Sequence, residues 1–253
     1  MLQRFSDDAL SKGIRLICYD RPGYGGSTPM PGRRMVDCAS DVKEIADALD
    51  IERFGVWGIS GGGAPALACA AALPDRVTAV ASLAGFAPFR AEGLDWFAGM
   101  GEMNAADLQL LLRDPAEWDR KSREDEQALL SATPGQIRVM WDSLLSDVDR
   151  EAFTDEVVEY LITLIRGGLR NGGEGLREDT KALVEPWGFD PGNIHVPVQL
   201  WHGEEDHFVP FSHGRWLASR IPGVEAHLLP GEGHITILVR HVPDAQTWLS
   251  SKR

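Results

Sequence analysis

Cysteine is scarce in this chain of 253 residues, which contains only Cys18, Cys38 and Cys69. No two of them form a C-x-x-C pair, and their odd number leaves at least one thiol unpaired. Disulfide bonds are common in oxidising compartments, whereas cytoplasmic thiols stay reduced. We therefore expect a cytoplasmic protein in which all three cysteines are reduced and buried or half-buried.

Positive charge is also in short supply. The chain has 25 lysines and arginines against 38 aspartates and glutamates, which gives a formal net charge of −13 and a pI near 4.9. Such a charge argues against binding to nucleic acid or to an anionic membrane surface. We expect neither as a partner and instead expect a small-molecule substrate.

Long apolar runs are missing as well. No run approaches the roughly 20 apolar residues that a transmembrane helix needs. Residues 1–8 contain two aspartates and no apolar core, so we expect no signal peptide there. Both absences agree with a cytoplasmic location.

Apolar residues nevertheless make up 43% of the chain, which can supply a sizeable core. The length fits one domain with an insertion, or two domains. Strand and helix patterns alternate in the first ninety residues and again near the end. The predicted strands cover residues 14–19, 54–59, 77–83, 196–202 and 224–229. This alternation predicts an α/β fold with a mostly parallel sheet flanked by helices.

Residues 90–186 interrupt the alternation, because they show helical patterns and no convincing strand pattern. Proline and glycine residues separate the helical pieces. We predict an α/β core formed by residues 1–89 and 187–253, with residues 90–186 inserted as a helical cap. Most apolar side chains of the cap will pack between its helices, and some will line an apolar pocket.

Residues 54–63 pass from an apolar run into a glycine-rich turn around one serine. Gly58, Ser60 and Gly62 match G-x-S-x-G, the nucleophile elbow, in which a strand reverses at once into a helix. Glycines beside the serine allow the close approach that this turn requires. A glycine-rich turn of another α/β protein would give the same short pattern. A dinucleotide site is disfavoured, because Ser60 replaces the second glycine of G-x-G-x-x-G.

Three residues with the chemistry of a hydrolytic triad each follow a predicted strand, namely Ser60, Asp206 and His234. Parallel strands end at one edge of a sheet, so these side chains can converge there. His234 would take the proton of the nucleophile Ser60, while Asp206 would orient His234 and stabilise its cation. The Gly61 N–H would be one donor of an oxyanion hole.

Two kinds of competitor lie near the predicted acid. Glu204 and Glu205 are rival acids, but the shorter side chain of an aspartate is easier to hold rigid at the end of a strand. His202, His207 and His213 match no metal-ligand spacing, and we interpret them as residues of loop surfaces. We expect no metal ion and no cofactor.

The chain resembles the α/β-hydrolase family in four motifs that follow the order of that family. They are DRPGYGGS at residues 20–27, GISGG at 58–62, HGEED at 202–206 and GEGH at 231–234. The set spans almost the whole chain and is far more specific than the elbow alone. The resemblance implies the triad order Ser, Asp, His. With serine at the elbow, the chain resembles the esterase, lipase and proline-iminopeptidase-like branch of the family. Haloalkane dehalogenase-like and epoxide hydrolase-like relatives carry aspartate at that position.

The chain also departs from this family. The resemblance implies three strands before residues 14–19, the last followed by a His-Gly loop that gives the second oxyanion N–H. Only 13 residues precede Ile14, and no His-Gly occurs before Ser60. The missing strand would leave residues 14–19 and 54–59 without a neighbour between them. We expect one of three solutions: an N-terminally truncated form, direct pairing of these two strands, or a gap filled by another chain.

Two classes of function follow from these observations. The first is a serine hydrolase that cleaves a carboxylic ester, or as second choice an amide, of a small apolar substrate through an acyl-enzyme on Ser60. The second is a non-catalytic or weakly active binding protein, or a truncated form, that lacks a complete oxyanion hole. The triad residues favour the first class, and the missing His-Gly loop favours the second. Association into a homo-oligomer would hide the uncovered strands.

Overall fold

The computed structural model describes residues 3–252 of the chain. Its sheet has four strands that all run parallel, in the spatial order in which they occur along the chain. They are β1 (Phe54–Ile59), β2 (Val77–Leu83), β3 (Val198–Gly203) and β4 (Glu225–Leu229). Four of the five predicted strands are present, and the prediction of an α/β fold with a parallel sheet is confirmed.

Eleven α-helices lie within residues 3–252. They are α1 (Gln3–Ser11), α2 (Cys38–Ala48), α3 (Gly63–Ala72), α4 (Glu102–Arg113), α5 (Pro115–Ser131), α6 (Pro134–Met140), α7 (Asp147–Ala152), α8 (Asp155–Gly168), α9 (Glu174–Val184), α10 (Phe211–Arg220) and α11 (His234–Ser250). None of these described helices has both the length and the apolarity that crossing a bilayer requires.

Helices cover both faces of the sheet. On one face, α2, α3 and α10 pack against the strands through buried residues such as Leu67 and Leu217. On the other face, α1 and α11 contribute Phe5 and Ile237. Full burial of a large apolar side chain contributes about 1.5–3 kcal/mol each. These two clusters hold the sheet on which the candidate site is built.

Residues 14–19 form no strand, so the prediction of a strand there is wrong. Within the described chain, the N–H and C=O groups of residues 15–19 make no backbone hydrogen bond. A cavity of about 730 Å³ separates this segment from β1. We call this cavity the edge slot, with residues 14–19 as one wall and residues 53–57 as the other. Direct pairing of the two segments, one of the three expected solutions, is therefore excluded.

The edge slot leaves an apolar strand partly uncovered. All residues of β2 except Thr78 are buried, whereas those of β1 are half-buried or, at Gly55, exposed. In the opposite wall, the Ile17 side chain is 40% exposed. Within residues 3–252, the side of β1 that faces away from β2 presents backbone N–H and C=O groups without a strand partner. The apolar pattern of residues 14–19 indicated a strand, but a strand also needs a hydrogen-bonded neighbour.

The three cysteines are free, as expected. Cys38 and Cys69 are buried, but Cys18 is exposed, so the expectation of a covered thiol is wrong at that position. Cys18 belongs to the wall formed by residues 14–19, where no neighbouring strand covers it. The Cys18 thiol is therefore exposed for the same reason that residues 14–19 form no strand: the edge slot separates this segment from β1.

Between β2 and β3 the described chain consists of helices and loops, from α4 to α9. Their apolar side chains form one cluster that continues into the loop after β3 and the first turn of α11, and it includes Trp118, Ile162, Phe208 and Ile235. These inserted helices therefore pack against the C-terminal ends of the last two strands.

One carboxylate ties the inserted helices to the glycine loop of residues 20–27. Asp179, on α9, accepts hydrogen bonds from Arg21 at 2.6 Å, Arg33 at 2.5 Å and Tyr24 at 3.0 Å. Burial lowers the pKa of Arg21, but the adjacent Asp179 outweighs burial and raises that pKa further above its ordinary value. The Arg33 side chain is only 5% exposed, and its ion pair with Asp179 offsets part of the cost of burying its charge.

Candidate active site

The turn after β1 has the strain expected of a nucleophile elbow. Ser60 has a φ of 56°, in the left-handed region that residues other than glycine rarely adopt. A Cβ on Gly58 would overlap the carbonyl of Gly62, so strand and helix require glycine at this contact. The chain passes from β1 to α3 through a single 3-10 turn over Ser60–Gly62.

Asp206 and His234 form a buried pair at the ends of β3 and β4. Nδ1 of His234 lies 2.8 Å from Oδ2 of Asp206, and the two residues are 6% and 2% exposed, respectively. The other carboxylate oxygen accepts the N–H groups of Phe208 at 2.9 Å and Val209 at 2.8 Å. Because the carboxylate keeps a proton on Nδ1, Nε2 is left to accept one.

The acid loop (residues 204–210) and the histidine loop (residues 230–234) are bonded to each other. The N–H of Glu205 donates to the carbonyl of Glu232 at 2.9 Å. A Cβ on Gly203 would overlap that same carbonyl, so glycine at the end of β3 allows the two loops to meet. Main-chain contacts therefore hold together the two loops that carry Asp206 and His234.

The two rival acids are placed differently from Asp206. Glu204 is exposed and Glu205 is half-buried, and within residues 3–252 neither carboxylate forms a hydrogen bond. The ring of Phe208 stacks on the imidazole of His234, with centroids 4.6 Å apart. Of the three neighbouring acids, Asp206 is the one bonded to His234.

A carboxylate from the inserted helices also reaches the histidine loop. Asp149, on α7, accepts the N–H groups of His234 at 2.9 Å, Ile235 at 2.8 Å and Thr236 at 3.0 Å. These groups belong to the first turn of α11, where N–H groups have no partner within the helix. The sequence analysis missed Asp149, because no motif distinguishes it among 38 acidic residues.

Ser60 lies at the same edge of the sheet as the acid and the histidine, because all strands are parallel. Within the described chain the Ser60 hydroxyl forms no hydrogen bond with His234. Such bonds are often long before substrate binds, so the Ser60–His234 contact stays a prediction. Gly61 is exposed, with open space where a side chain would stand. Its role as an oxyanion donor also stays a prediction.

Comparison with known proteins identifies the family. A family model described as alpha/beta hydrolase fold matches residues 2–240. The chain belongs to the α/β-hydrolase fold family. The resemblance drawn from the four motifs is thereby confirmed.

Individual relatives of this α/β hydrolase carry different names. It is 28% identical over 234 residues to a 2-hydroxy-6-oxononadienedioate/2-hydroxy-6-oxononatrienedioate hydrolase of Cupriavidus pinatubonensis, covering 89% of this chain and 71% of that protein. It is 29% identical over 233 residues to the dihydrolipoyllysine-residue acetyltransferase component of the acetoin cleaving system of Pseudomonas putida. That match covers 91% of this chain, which spans only 54% of the relative. A solved thermophilic esterase from Thermogutta terrifontis shares the fold, with 21% identity, a TM-score of 0.67, and coverage of 99% of this chain and 85% of that one.

The surroundings of His234 in this α/β hydrolase favour its charged form. Burial lowers its pKa, but the charge and hydrogen bond of Asp206, together with the charge of Asp149, outweigh burial and raise the pKa above its ordinary 6.5. The pKa of Asp149 is also raised, because burial outweighs the N–H groups that stabilise its charge. The imidazolium that forms when Ser60 loses its proton would therefore be stabilised.

His202 and His213 are fully buried, so their interpretation as loop-surface residues is wrong. Nε2 of His202 lies 2.8 Å from a carbonyl of the acid loop, and burial lowers its pKa. His213 accepts the N–H of Ala87 at 3.1 Å and bonds the carbonyl of Trp96 at 2.9 Å, and burial lowers its pKa to about 4. Of the three histidines near the acid loop, only His207 is exposed. Among the residues described, no group of three or more His, Cys, Asp or Glu side chains is arranged to hold a metal ion.

Proposed function

We propose that this protein is a serine hydrolase that cleaves a carboxylic ester of a small apolar substrate through an acyl-enzyme on Ser60. The observation that carries the proposal is the buried hydrogen bond between Asp206 and His234. It is supported by the strained turn at Ser60, which ends at the same edge of the sheet. A histidine held by a carboxylate is the base that turns a serine hydroxyl into a nucleophile.

In the first half of the proposed reaction, Oγ of Ser60 attacks the ester carbonyl carbon while its proton passes to Nε2 of His234. The N–H of Gly61, with a second donor, stabilises the oxyanion. The bond to the alcohol then breaks, and His234 gives its proton to the departing alkoxide. Water next attacks the acyl-enzyme with His234 again as base, which releases the acid and restores Ser60. An amide, the second choice, would follow the same steps with an amine as leaving group.

A carbon–carbon bond hydrolase is a second candidate, and the curated relatives favour it. The relative from Cupriavidus pinatubonensis is named as a hydrolase of 2-hydroxy-6-oxo dienedioic and trienedioic acids. Such a substrate presents a ketone where an ester presents its acyl carbonyl. The same serine and histidine would act on it, with a carbon atom in place of the alcohol oxygen as the leaving atom.

The alternative to both is a non-catalytic or weakly active binding protein. It is supported by the open edge slot beside β1, the strand that leads to Ser60. Loss of one oxyanion donor costs a serine hydrolase about 10²–10³-fold in rate. A weak hydrolase would therefore still acylate at Ser60, whereas a binding protein would not.

Labelling with a fluorophosphonate probe tests the proposed nucleophile. We expect the wild-type protein to be labelled and Ser60→Ala to remain unlabelled. Ser40→Ala, which removes an exposed hydroxyl from α2, is the matched control and should label like the wild type. If the folded wild-type protein fails to label, the binding-protein alternative is favoured over both hydrolase candidates.

Turnover of two substrates separates the hydrolase candidates. An ester hydrolase should turn over p-nitrophenyl butyrate faster than a 2-hydroxy-6-oxo dienoate, and a carbon–carbon hydrolase should show the opposite order. Each rate is compared with that of Ser60→Ala, which must lose the activity in either case.

A cytoplasmic location, a small-molecule partner and association with further copies also remain proposals. The first two are supported by three free thiols and a net charge of −13. Association is supported by the uncovered apolar walls of the edge slot.

A further inference from the structure

Two carboxylates from distant parts of the chain hold His234. Asp206 bonds the imidazole at Nδ1, while Asp149 bonds the backbone N–H of the same residue. Asp206 is 2% exposed and Asp149 is fully buried. The histidine is therefore fixed through its side chain by the acid loop and through its main chain by the inserted helices.

Within residues 3–252, the Asp149 carboxylate forms no ion pair with a lysine or arginine side chain. Its hydrogen bonds come from three backbone N–H groups at the start of α11, where the helix dipole is positive. Burial of a carboxylate is costly, and an uncharged Ser or Thr caps a helix nearly as well. In the same inserted region, Thr133 caps α6 at an exposed position. Stabilisation of the start of α11 alone therefore does not explain why residue 149 carries a buried charge.

The contact between the inserted helices and the histidine loop is also sterically tight. A Cβ on Gly233 would overlap the Asp149 carboxylate. The φ of Gly233 is −114°, which any residue can adopt, so the backbone conformation does not require glycine here. Glycine is required because the carboxylate occupies the space of a side chain.

We propose that Asp149 is a positioning residue that couples the placement of the inserted helices to the placement of His234. The inference rests on the proposed function, which makes His234 the general base. If α7 moves away from the sheet edge, the first turn of α11 loses its cap and His234 loses its main-chain anchor. A substrate that stabilises the packed arrangement of the inserted helices would thereby also stabilise the active position of the histidine.

The charge of Asp149 gives this role a signature that a purely structural cap lacks. The titratable groups acting on His234 are Asp206 in the acid loop, Asp149 on α7 and the buried His202 in β3. The negative charge of Asp149 favours the protonated imidazole. Removal of that charge should shift the titration of His234 to lower pH, whereas loss of an uncharged cap would not.

Asp149→Asn tests the proposal, because it removes the charge and keeps the size of the side chain. We expect kcat/KM on an activated ester to fall about 10- to 100-fold, the cost of a small misplacement of a reacting group. The acid limb of the pH profile should move to lower pH. Asp114→Asn is the matched control: Asp114 is an exposed cap of α5 that accepts one N–H at 3.0 Å, and its loss should change neither quantity.

Proton NMR provides a readout that does not depend on turnover. The resonance of the His234 Nδ1 proton, bonded to Asp206, is identified by its absence in His234→Gln and is titrated in wild type, Asp149→Asn and Asp114→Asn. A lower titration midpoint in Asp149→Asn alone is expected. An unchanged midpoint would overturn the positioning role even if the protein is an active hydrolase. A shifted midpoint in a protein without hydrolase activity would instead contradict the proposed function.

Gly233→Ala perturbs the same contact from the other side and tests it if Asp149→Asn folds poorly. The added methyl group should displace the Asp149 carboxylate and lower kcat/KM as Asp149→Ala does. In the double variant Asp149→Ala/Gly233→Ala the carboxylate is gone, so the second substitution should cost little more. Additive losses would mean that the two residues act independently, and the proposal would be wrong.

Discussion

The sheet has β1 at one edge and β3 and β4 towards the other, and these two sides differ in how completely their polar groups are hydrogen-bonded. Around β3 and β4, the Asp206 carboxylate accepts three hydrogen bonds, and the acid and histidine loops are hydrogen-bonded to each other. Around β1, residues 15–19 make no backbone hydrogen bond in the described chain, and the edge slot, a cavity of about 730 Å³, lies alongside the strand. The acid–histidine half of the candidate site is therefore built without help from the side on which Ser60 lies.

This contrast teaches that the candidate site has two parts with different supports. The acid–histidine pair depends on β3, β4 and the inserted helices. Ser60 depends on β1, which within residues 3–252 has a strand neighbour on one side only. Disturbance of the edge slot should therefore affect the position of Ser60 before it affects the Asp206–His234 bond.

The largest effect should come from breaking the paired side. Asp206→Asn should lower kcat about 10⁴-fold, because the amide no longer holds the required tautomer of His234. Esterase assays on the purified, folded variant measure this loss. Glu205→Gln is the control, because its carboxylate makes no hydrogen bond in the described chain, and it should stay within about twofold of wild type. A larger loss in Glu205→Gln than in Asp206→Asn would reassign the acid.

Alanine substitutions at two leucines would compare how much packing on each side contributes to the free energy of unfolding. Leu200 in β3 is fully buried, whereas Leu16 in the slot wall is only half-buried. Leu200→Ala should lower the free energy of unfolding by about 2–5 kcal/mol, the cost of a cavity in a packed core. Leu16→Ala should cost less, about 1 kcal/mol, because the edge slot leaves part of the apolar surface of Leu16 without packing partners. Urea unfolding measures both, and equal losses would show that the slot walls are packed in solution.

The pH dependence of activity should report on the buried pair. Because the Asp206 carboxylate raises the pKa of His234, kcat/KM should fall with decreasing pH at a midpoint above 6.5. Protonation removes the base, so the loss lies on the acid side. In Asp206→Asn the midpoint of the residual activity should move to lower pH. A wild-type midpoint below 6.5 would contradict the stabilised imidazolium.

The smallest effect is expected at the edge slot. The uncovered walls should make the protein associate as its concentration rises, which sedimentation velocity detects. Leu16→Lys adds a charge to one wall and should weaken association about tenfold in dissociation constant, equivalent to about 1.4 kcal/mol. Leu164→Lys, on an exposed position of α8 away from the slot, is the control. A monomer at all concentrations would show that the slot does not drive association.

The sequence predicted the elements whose evidence is local. The predicted strand over residues 77–83 coincides with β2, and G-x-S-x-G marked the turn where Ser60 has a positive φ. Residues 14–19 had an equally apolar pattern but form no strand, because pairing depends on a neighbour that periodicity does not reveal. The apolar pattern of one segment indicates a preference for strand conformation, but it does not show whether a neighbouring strand is there to pair with it.

In the candidate site, too, sequence motifs predicted some residues but not those whose positions depend on the packing of distant segments. Asp206 and His234 were predicted from motifs and are bonded to each other. Asp149 belongs to no motif, and only the packing of α7 on α11 brings it to the histidine loop. His202 and His213 were interpreted as surface residues because they lie near loops, but their rings are buried by packing that one-dimensional spacing does not encode.

The left-handed backbone at Ser60 limits how this protein can evolve. Asp and Asn adopt that region more readily than β-branched residues do, and glycine adopts it without strain. Position 60 can therefore exchange a hydroxyl for a carboxylate without rebuilding the strand or the helix, whereas threonine, despite its hydroxyl, would strain the turn. The backbone conformation of residue 60 thus permits a change from serine to aspartate, which would change the class of reaction, but disfavours the chemically nearest change, from serine to threonine.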